Sequence, residues 1–256
     1  MGWRNYVAVG DSFTEGLDDP HPRGPGYRGW ADLVAARLAA EAGPDFGYAN
    51  LAVRARLFDA VVAEQLPAAL DMRPDLVSFA AGGNDVLRRQ CDPHALVRRF
   101  DQAIGKVRAT GADVVLFRFA DLSARLPGQR LIAPRVAVLN RGVGEVAERH
   151  GARLVDLSSD EAFDNPVLWS ADRLHLSTLG HRRVAAYVLR ALEVEPDPQW
   201  LDAPADPAPA SWLAARRADL HWVGVHLMPW IKRRLTGRSS GDKVLPKRPG
   251  LAPIAD

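Results

Sequence analysis

Cysteine is almost missing from this 256-residue sequence: a single one, Cys91, excludes an intramolecular disulfide and any multi-cysteine zinc site. Lysine is scarce as well, four against 29 arginines, which reads as the codon usage of a GC-rich genome rather than as chemistry. No uninterrupted apolar run approaches the ~18 residues of a membrane span. Neither sign of charge dominates, since 33 Lys+Arg face 31 Asp+Glu for a net +2, and that balance by itself implies no strongly charged partner. No leader is expected either. Met1 to Val9 runs straight into a motif, and position 6 is Tyr where a myristoylation signal wants Ser or Thr. The expected location is the cytoplasm. With 47% apolar and 25% charged positions, what remains is an ordinary globular chain, long enough for one α/β domain with appendages or for two domains.

Short β-branched runs alternate with longer helical patterns, the mark of βαβ units and a parallel sheet. Strands are expected at 6–9, 48–53, 76–81, 114–119 and 153–157. Helices are expected at 30–42, 57–70 (broken by Pro67), 93–110, 133–151 and 178–192, the last capped by Ser177. This is a three-layer α/β/α sandwich with a five-stranded parallel sheet, occupying 1–195. In such sheets ligands bind outside the carboxyl ends of the strands.

From residue 196 the character changes: nine of the 19 prolines and four of the seven tryptophans lie beyond Glu195. Residues 195–209 read as a linker without regular structure. Residues 211–235 return to helical spacing (Leu213, Leu220, Val223, Leu227, Ile231), interrupted at Pro229, and 236–256 read as a loosely held polar tail. Between Ser211 and Gly250 nine Lys/Arg stand against two Asp/Glu.

Three segments at strand ends carry chemistry. Gly10-Asp11-Ser12-Phe13-Thr14-Glu15-Gly16 places a serine on a tight turn with a helix N-terminus nearby to favour negative charge. Gly82-Gly83-Asn84-Asp85 ends another strand and offers an amide donor. Asp172-Arg173-Leu174-His175 sets a carboxylate three residues before a histidine, so that one ring nitrogen can be oriented while the other faces a nucleophile. A serine needs such an adjacent base, itself oriented, and a tetrahedral oxyanion needs positioned donors. Taken singly each has another reading: Ser12 as a turn residue or part of a phosphate-cradling loop, the glycine segment as a common turn, Asp172 and His175 as a surface capping pair.

Together and in this order, the three segments resemble the signature blocks of the SGNH/GDSL hydrolase family over about residues 5–192. The resemblance implies a flavodoxin-like sandwich and a serine esterase or related acyl hydrolase without cofactor or metal. By matching position Ser12 is the nucleophile, His175 the general base and Asp172 its orienter. The Ser12 N–H, Ala55 N–H and Asn84 serve the oxyanion, supported by Asp11, Gly82 and Asp85. Position 55 departs from the family, which has glycine there; the backbone donor survives with alanine provided φ is negative, whereas a positive φ strains its methyl.

The expected substrate is a small-molecule ester. Acyl transfer or O-deacetylation of a carbohydrate or metabolite uses the same triad, and a non-catalytic binding module on the same fold is a rival of another class. Cys91 near His94 reads as an ordinary half-buried thiol, Asp18-Asp19-Pro20-His21 as a solvated loop, and His181 as structural. For the C-terminal segment three readings stand. Its helix packs Trp212, Leu220, Val223 and Leu227 on the sandwich; or Trp222 and Trp230 border the mouth of the site and shape the acyl pocket; or Lys232, Arg233, Arg234 and Arg238 meet acidic partners or anionic lipid. No nucleic-acid module is recognisable.

Overall fold

The computed structural model describes residues 2–121, 125–126, 128–206, 211–229, 232 and 239–254, with the backbone alone for 213–215. Strands β1 (Asn5–Gly10), β2 (Gly47–Asn50), β3 (Leu76–Ala80), β4 (Asp113–Arg118) and β5 (Arg153–Asp156) run parallel in the order β5-β4-β3-β1-β2. That is the 2-1-3-4-5 order of flavodoxin-like sheets, whose direction of winding reverses between β1 and β3. The helices, in chain order, are α1 (Ser12–Glu15), α2 (Trp30–Ala42), α3 (Phe58–Ala60), α4 (Leu66–Asp71), α5 (Gly83–Val86), α6 (Pro93–Arg108), α7 (Gln129–His150), α8 (Thr178–Ala191) and α9 (Trp212–Trp222).

Helices cover both faces of the sheet, so its strands need apolar residues on both sides. In β1, Tyr6 and Ala8 join Trp30, Leu38 and Val184 of α2 and α8, while Val7 and Val9 join Phe100 of α6 and Val143 of α7. Local signals set the ends. Asp92 caps α6 by accepting from the His94 and Ala95 N–H groups, with Pro93 at the first turn, and Ser177 caps α8 through Gly180 N–H.

Several expectations need correction. The sheet has six strands, not five: β6 (Arg248–Pro253) pairs antiparallel with β2, so that the sheet is mixed and this part of the tail is held rather than loose. Pro249 and Pro253 hid it, because proline is excluded from central strands but tolerated at an edge. Pro67 does not break its helix; α3, a π-helical turn (Val61–Gln65) and α4 follow without interruption, with Pro67 in the first turn of α4. The linker contains a 3-10 turn, Pro198–Leu201, capped by Asp197 and held by Arg183, which donates to the Leu201 and Asp202 carbonyls.

The C-terminal helix is real, but its packing differs from the first reading. Trp212 and Leu220 are exposed, and Trp222 is the buried one. A second π-helical turn, Val223–Leu227, follows α9. Trp230, Ile231, Arg233, Arg234, Arg238 and the side chain of Leu213 lie outside the described residues. No helix among the described residues is long and apolar enough to cross a membrane.

Candidate active site

Strand β1 ends against β3 so closely that a Cβ on Gly10 would stand 2.5 Å from the Ala80 carbonyl oxygen, which only glycine avoids. The Gly10 backbone is further held by Gln65, whose side-chain amide donates to Gly10 O and accepts from Gly10 N–H, both at 2.9 Å. The chain then turns into α1, with Asp11 as its cap, accepting from Phe13 N–H at 3.1 Å. Ser12 is thereby the first helical residue, and at that position a backbone N–H has no acceptor within the helix. Ser12 is nearly buried and lies at the switch point between β1 and β3, where a crevice is expected.

His175 reaches this point from 163 residues away. Its Nε2 lies 3.0 Å from Ser12 Oγ, and its Nδ1 lies 2.5 Å from Asp172 Oδ2. The other oxygen of Asp172 accepts from the Leu174 and His175 N–H groups, each at 2.9 Å, so the Asp-x-x-His turn closes on its own carboxylate. Burial pushes the Asp172 carboxyl up, but the His175 hydrogen bond and charge outweigh it and hold it below the carboxylate range. Burial pushes His175 down; Asp172, then Asp18 and Asp11, overcome this and raise its pKa.

Asp18 is a partner that the solvated-loop reading missed. The Ser170 hydroxyl lies 2.7 Å from the carboxylates of both Asp18 and Asp172, and Asp18 Oδ2 is 4.0 Å from His175 Nδ1. One hydroxyl proton can serve only one of the two carboxylates at a time. Its neighbour Asp19 is fully buried, accepting from Arg28, Gly29 N–H and Thr178, so the first half of this loop anchors the site while Pro20 and His21 meet solvent.

The remaining predicted residues converge on the same crevice. Ala55 has φ of +60°, the strained case, and lies between Arg54 and Arg56 beside the Ser12 pocket. Its loop is fixed by Glu15 of α1, whose buried carboxylate accepts from Arg54 N–H at 2.7 Å and from the Arg54 guanidinium. Gly82 caps α5 at φ +100°, a backbone that favours glycine. Asn84 lines the pocket with Ser12; its amide donates to Asp11 Oδ2 (3.0 Å) and Arg56 O (3.1 Å), so both amide hydrogens are engaged, and donating to an oxyanion requires exchanging one of them. Asp85 stands one step back, accepting from Phe58 N–H at 2.9 Å. Burial raises the Asp11 pKa to about 6.

His181, expected to be structural, lines the inner side of the site. It is fully buried, with Nδ1 toward Trp30 N–H and Nε2 toward Leu17 O, and burial lowers its pKa to about 4. Cys91 is a half-buried thiol whose pKa burial raises, the reverse of an activated cysteine.

Two cavities meet at Ser12 and His175. The inner one, about 100 Å³, runs into the core between Phe13, Leu139, Leu157, Phe163, Trp169 and Leu176. The outer one, about 550 Å³, opens beside Arg54 and Ala55 and is lined by Trp222, Val225 and Leu227. Trp222 thus borders the outer cavity, not the inner.

No curated protein matches the chain. Among solved structures it is similar to LAE5, an alpha/beta hydrolase enzyme from the metagenome of Lake Arreo, Spain (23% identity, 77% of this chain and 98% of that one, TM-score 0.62). It is also similar to TesA (26%, 74% and 98%, 0.59) and to the lipase/acylhydrolase of Enterococcus faecalis (22%, 76% and 98%, 0.60). These likenesses agree with the α/β fold described above. Residues 8–183, from the strand before Ser12 to the helix after His175, match the model of the GDSL-like lipase/acylhydrolase family, and the chain belongs to that family.

Proposed function

We propose that the protein hydrolyses carboxylic esters through an acyl-enzyme on Ser12. The observation that carries this reading is the continuous relay from Ser12 Oγ to His175 Nε2 (3.0 Å) and from His175 Nδ1 to Asp172 (2.5 Å), set at the mouth of an apolar cavity. Ser12 Oγ attacks the ester carbonyl while His175 Nε2 takes its proton, and Asp172 remains ionised and stabilises the imidazolium. The tetrahedral oxyanion is received by the N–H groups of Ser12 and Ala55 and by the Asn84 amide. His175 then protonates the departing alcohol. Water, deprotonated by the same nitrogen, releases the acid and restores Ser12.

The inner cavity suits the acyl group. An apolar cavity of about 150 Å³ accommodates a benzene ring, so this smaller one takes an acyl chain of a few carbons. A fluorophosphonate probe is expected to label the wild type and not Ser12→Ala. The same variant is expected to lose about 10,000-fold or more of its p-nitrophenyl butyrate hydrolysis, with an unchanged circular dichroism spectrum. Labelling or hydrolysis that survives Ser12→Ala overturns the assignment, and a wild type that neither labels nor hydrolyses points to a binding module instead.

A further inference from the structure

The outer cavity has a wall that the family match does not reach. Trp222, Val225, His226, Leu227 and Ser240 line it, and all lie beyond residue 183. This wall is fastened to each part of the site. The Trp222 indole N–H donates to the Asp172 carbonyl at 2.9 Å, Arg173 pairs with Asp219 at 2.8 Å, and the Arg173 guanidinium lies 5.1 Å from the centre of the Trp222 ring. Gly241 packs so tightly on the Ala55 loop that a Cβ there would stand 2.1 Å from the Arg54 carbonyl oxygen. Lys247 Nζ donates to the carbonyl of Glu15, the last residue of α1, at 2.6 Å. A helix that served only to cover the core would bury its apolar residues. Here Trp212 and Leu220 stay 69% and 73% exposed, while Trp222, turned toward the site, is only 7% exposed. The π-helical turn that follows presents Val225, His226 and Leu227 to the cavity, in keeping with the frequent occurrence of such turns at functional sites.

We propose that this outer cavity is the subsite for the alcohol moiety of the ester and that the C-terminal segment selects bulky apolar alcohols, an aromatic ring in particular, over small ones. The inference rests on Ser12 as nucleophile. Its orientation follows from the reaction. The acyl group stays bonded to Ser12 through two steps and fits the cavity that ends in the core. The alcohol leaves once the ester C–O bond breaks and its oxygen takes the proton from His175 Nε2, and water must then enter, which needs the compartment at the surface. His175 lines both cavities, and the outer wall includes Val225, 49% exposed. The recognising chemistry is apolar, since Leu17, Leu174, Trp222, Val225 and Leu227 dominate the lining, and the charge of Arg54 is already held by the Glu15 carboxylate and the Tyr27 ring.

The test compares benzyl butyrate with methyl butyrate on the full-length protein. The two esters share one acid and have leaving alcohols of similar basicity, so the ratio of their kcat/KM values reports contact with the alcohol. The wild type is expected to prefer the benzyl ester about tenfold or more, and Trp222→Ala to bring the ratio most of the way to unity. Val225→Phe, which adds volume at a half-exposed position, is expected to lower the ratio without depending on the Trp222 hydrogen bond. Neither change should move the preference among p-nitrophenyl esters of different acyl length. A ratio unmoved in both variants, or a shift in acyl-length preference instead, overturns the proposal. If fluorophosphonate labels the wild type while the ratio stays put, the alcohol subsite alone falls; if the wild type does not label, the Ser12 reading falls and takes the subsite with it.

Discussion

At Ala55 a methyl group occupies a left-handed backbone position where an L-residue costs about 1–2 kcal/mol. Asp18 and Arg173, at φ +69° and +62°, share this condition, so three of the five such non-glycine residues among the described residues flank one crevice. Strain of this kind persists where the surroundings over-determine it, here through Glu15 on Arg54 and the Asp172 turn around Arg173. Ala55→Gly is expected to stabilise the protein by about 0.5–1 kcal/mol, the relieved strain less the added freedom of the unfolded chain. A rise in the urea midpoint at constant slope checks it, and a fall would mean that the alanine methyl makes contacts worth more than the strain.

His175 must be neutral to accept the Ser12 proton, and its carboxylate neighbours favour the charged form. The acid limb of kcat/KM is therefore expected above the ordinary imidazole range. Asp18→Asn keeps the shape and tolerates the left-handed backbone while removing one of those charges. It is expected to move the limb to lower pH, measured on free enzyme at low substrate concentration. An unmoved limb would mean that Asp18 contributes only geometry.

Among the elements, the end of β1 depends on a side chain standing in for a strand. Gln65 leaves its own helical segment at the π-helical turn and satisfies both backbone groups of Gly10. Pro67 follows two residues later, and its missing N–H removes one ordinary helical bond from the same stretch. Gln65→Leu leaves the buried Gly10 N–H without its partner, at about 1–3 kcal/mol, and leaves the Gly10 carbonyl only the 3.4 Å bond from Val53 N–H. The expected loss is about 1–3 kcal/mol in denaturant unfolding, together with lower kcat, because Ser12 lies two residues from the loosened strand end. Full kcat in a destabilised variant would separate the strand end from the positioning of Ser12.

For the molecule as a whole, the last strand closes a circuit that begins at the first. Lys247, one residue before β6, inserts its ammonium among the Glu15, Tyr27 and Arg28 carbonyls and pairs with Asp32 of α2. Asp32 shows the cost of its position: burial raises its pKa even with Lys247 pulling the other way. Removing one partner of such a pair strands the other, so Lys247→Met is expected to destabilise the fold by about 2–4 kcal/mol. The loss should shrink in Lys247→Met/Asp32→Asn, where no carboxylate is left unpaired; equal losses in both would mean that the carbonyl contacts, not the charge, hold the strand. β6 also ends the sheet as an edge strand that carries Pro249 and Pro253, residues that discourage a further strand from pairing.

The sequence by itself determined the parallel strands, the principal helices and the three segments that meet in the crevice, two at the ends of β1 and β3 and one just before α8. Each is written locally: continuous apolar runs for a sheet covered on both faces, Ser177 and Asp92 as caps, and a carboxylate three residues before a histidine. The tertiary structure alone decided that Asp18 shares Ser170 with Asp172, that Gln65 holds Gly10, that the proline-rich end forms an edge strand, and that Trp222 faces the outer cavity. These contacts join residues 50 to more than 200 positions apart. Spacing in a chain predicts which side chains share one element, whereas a partner from another element is fixed only when packing brings the two together.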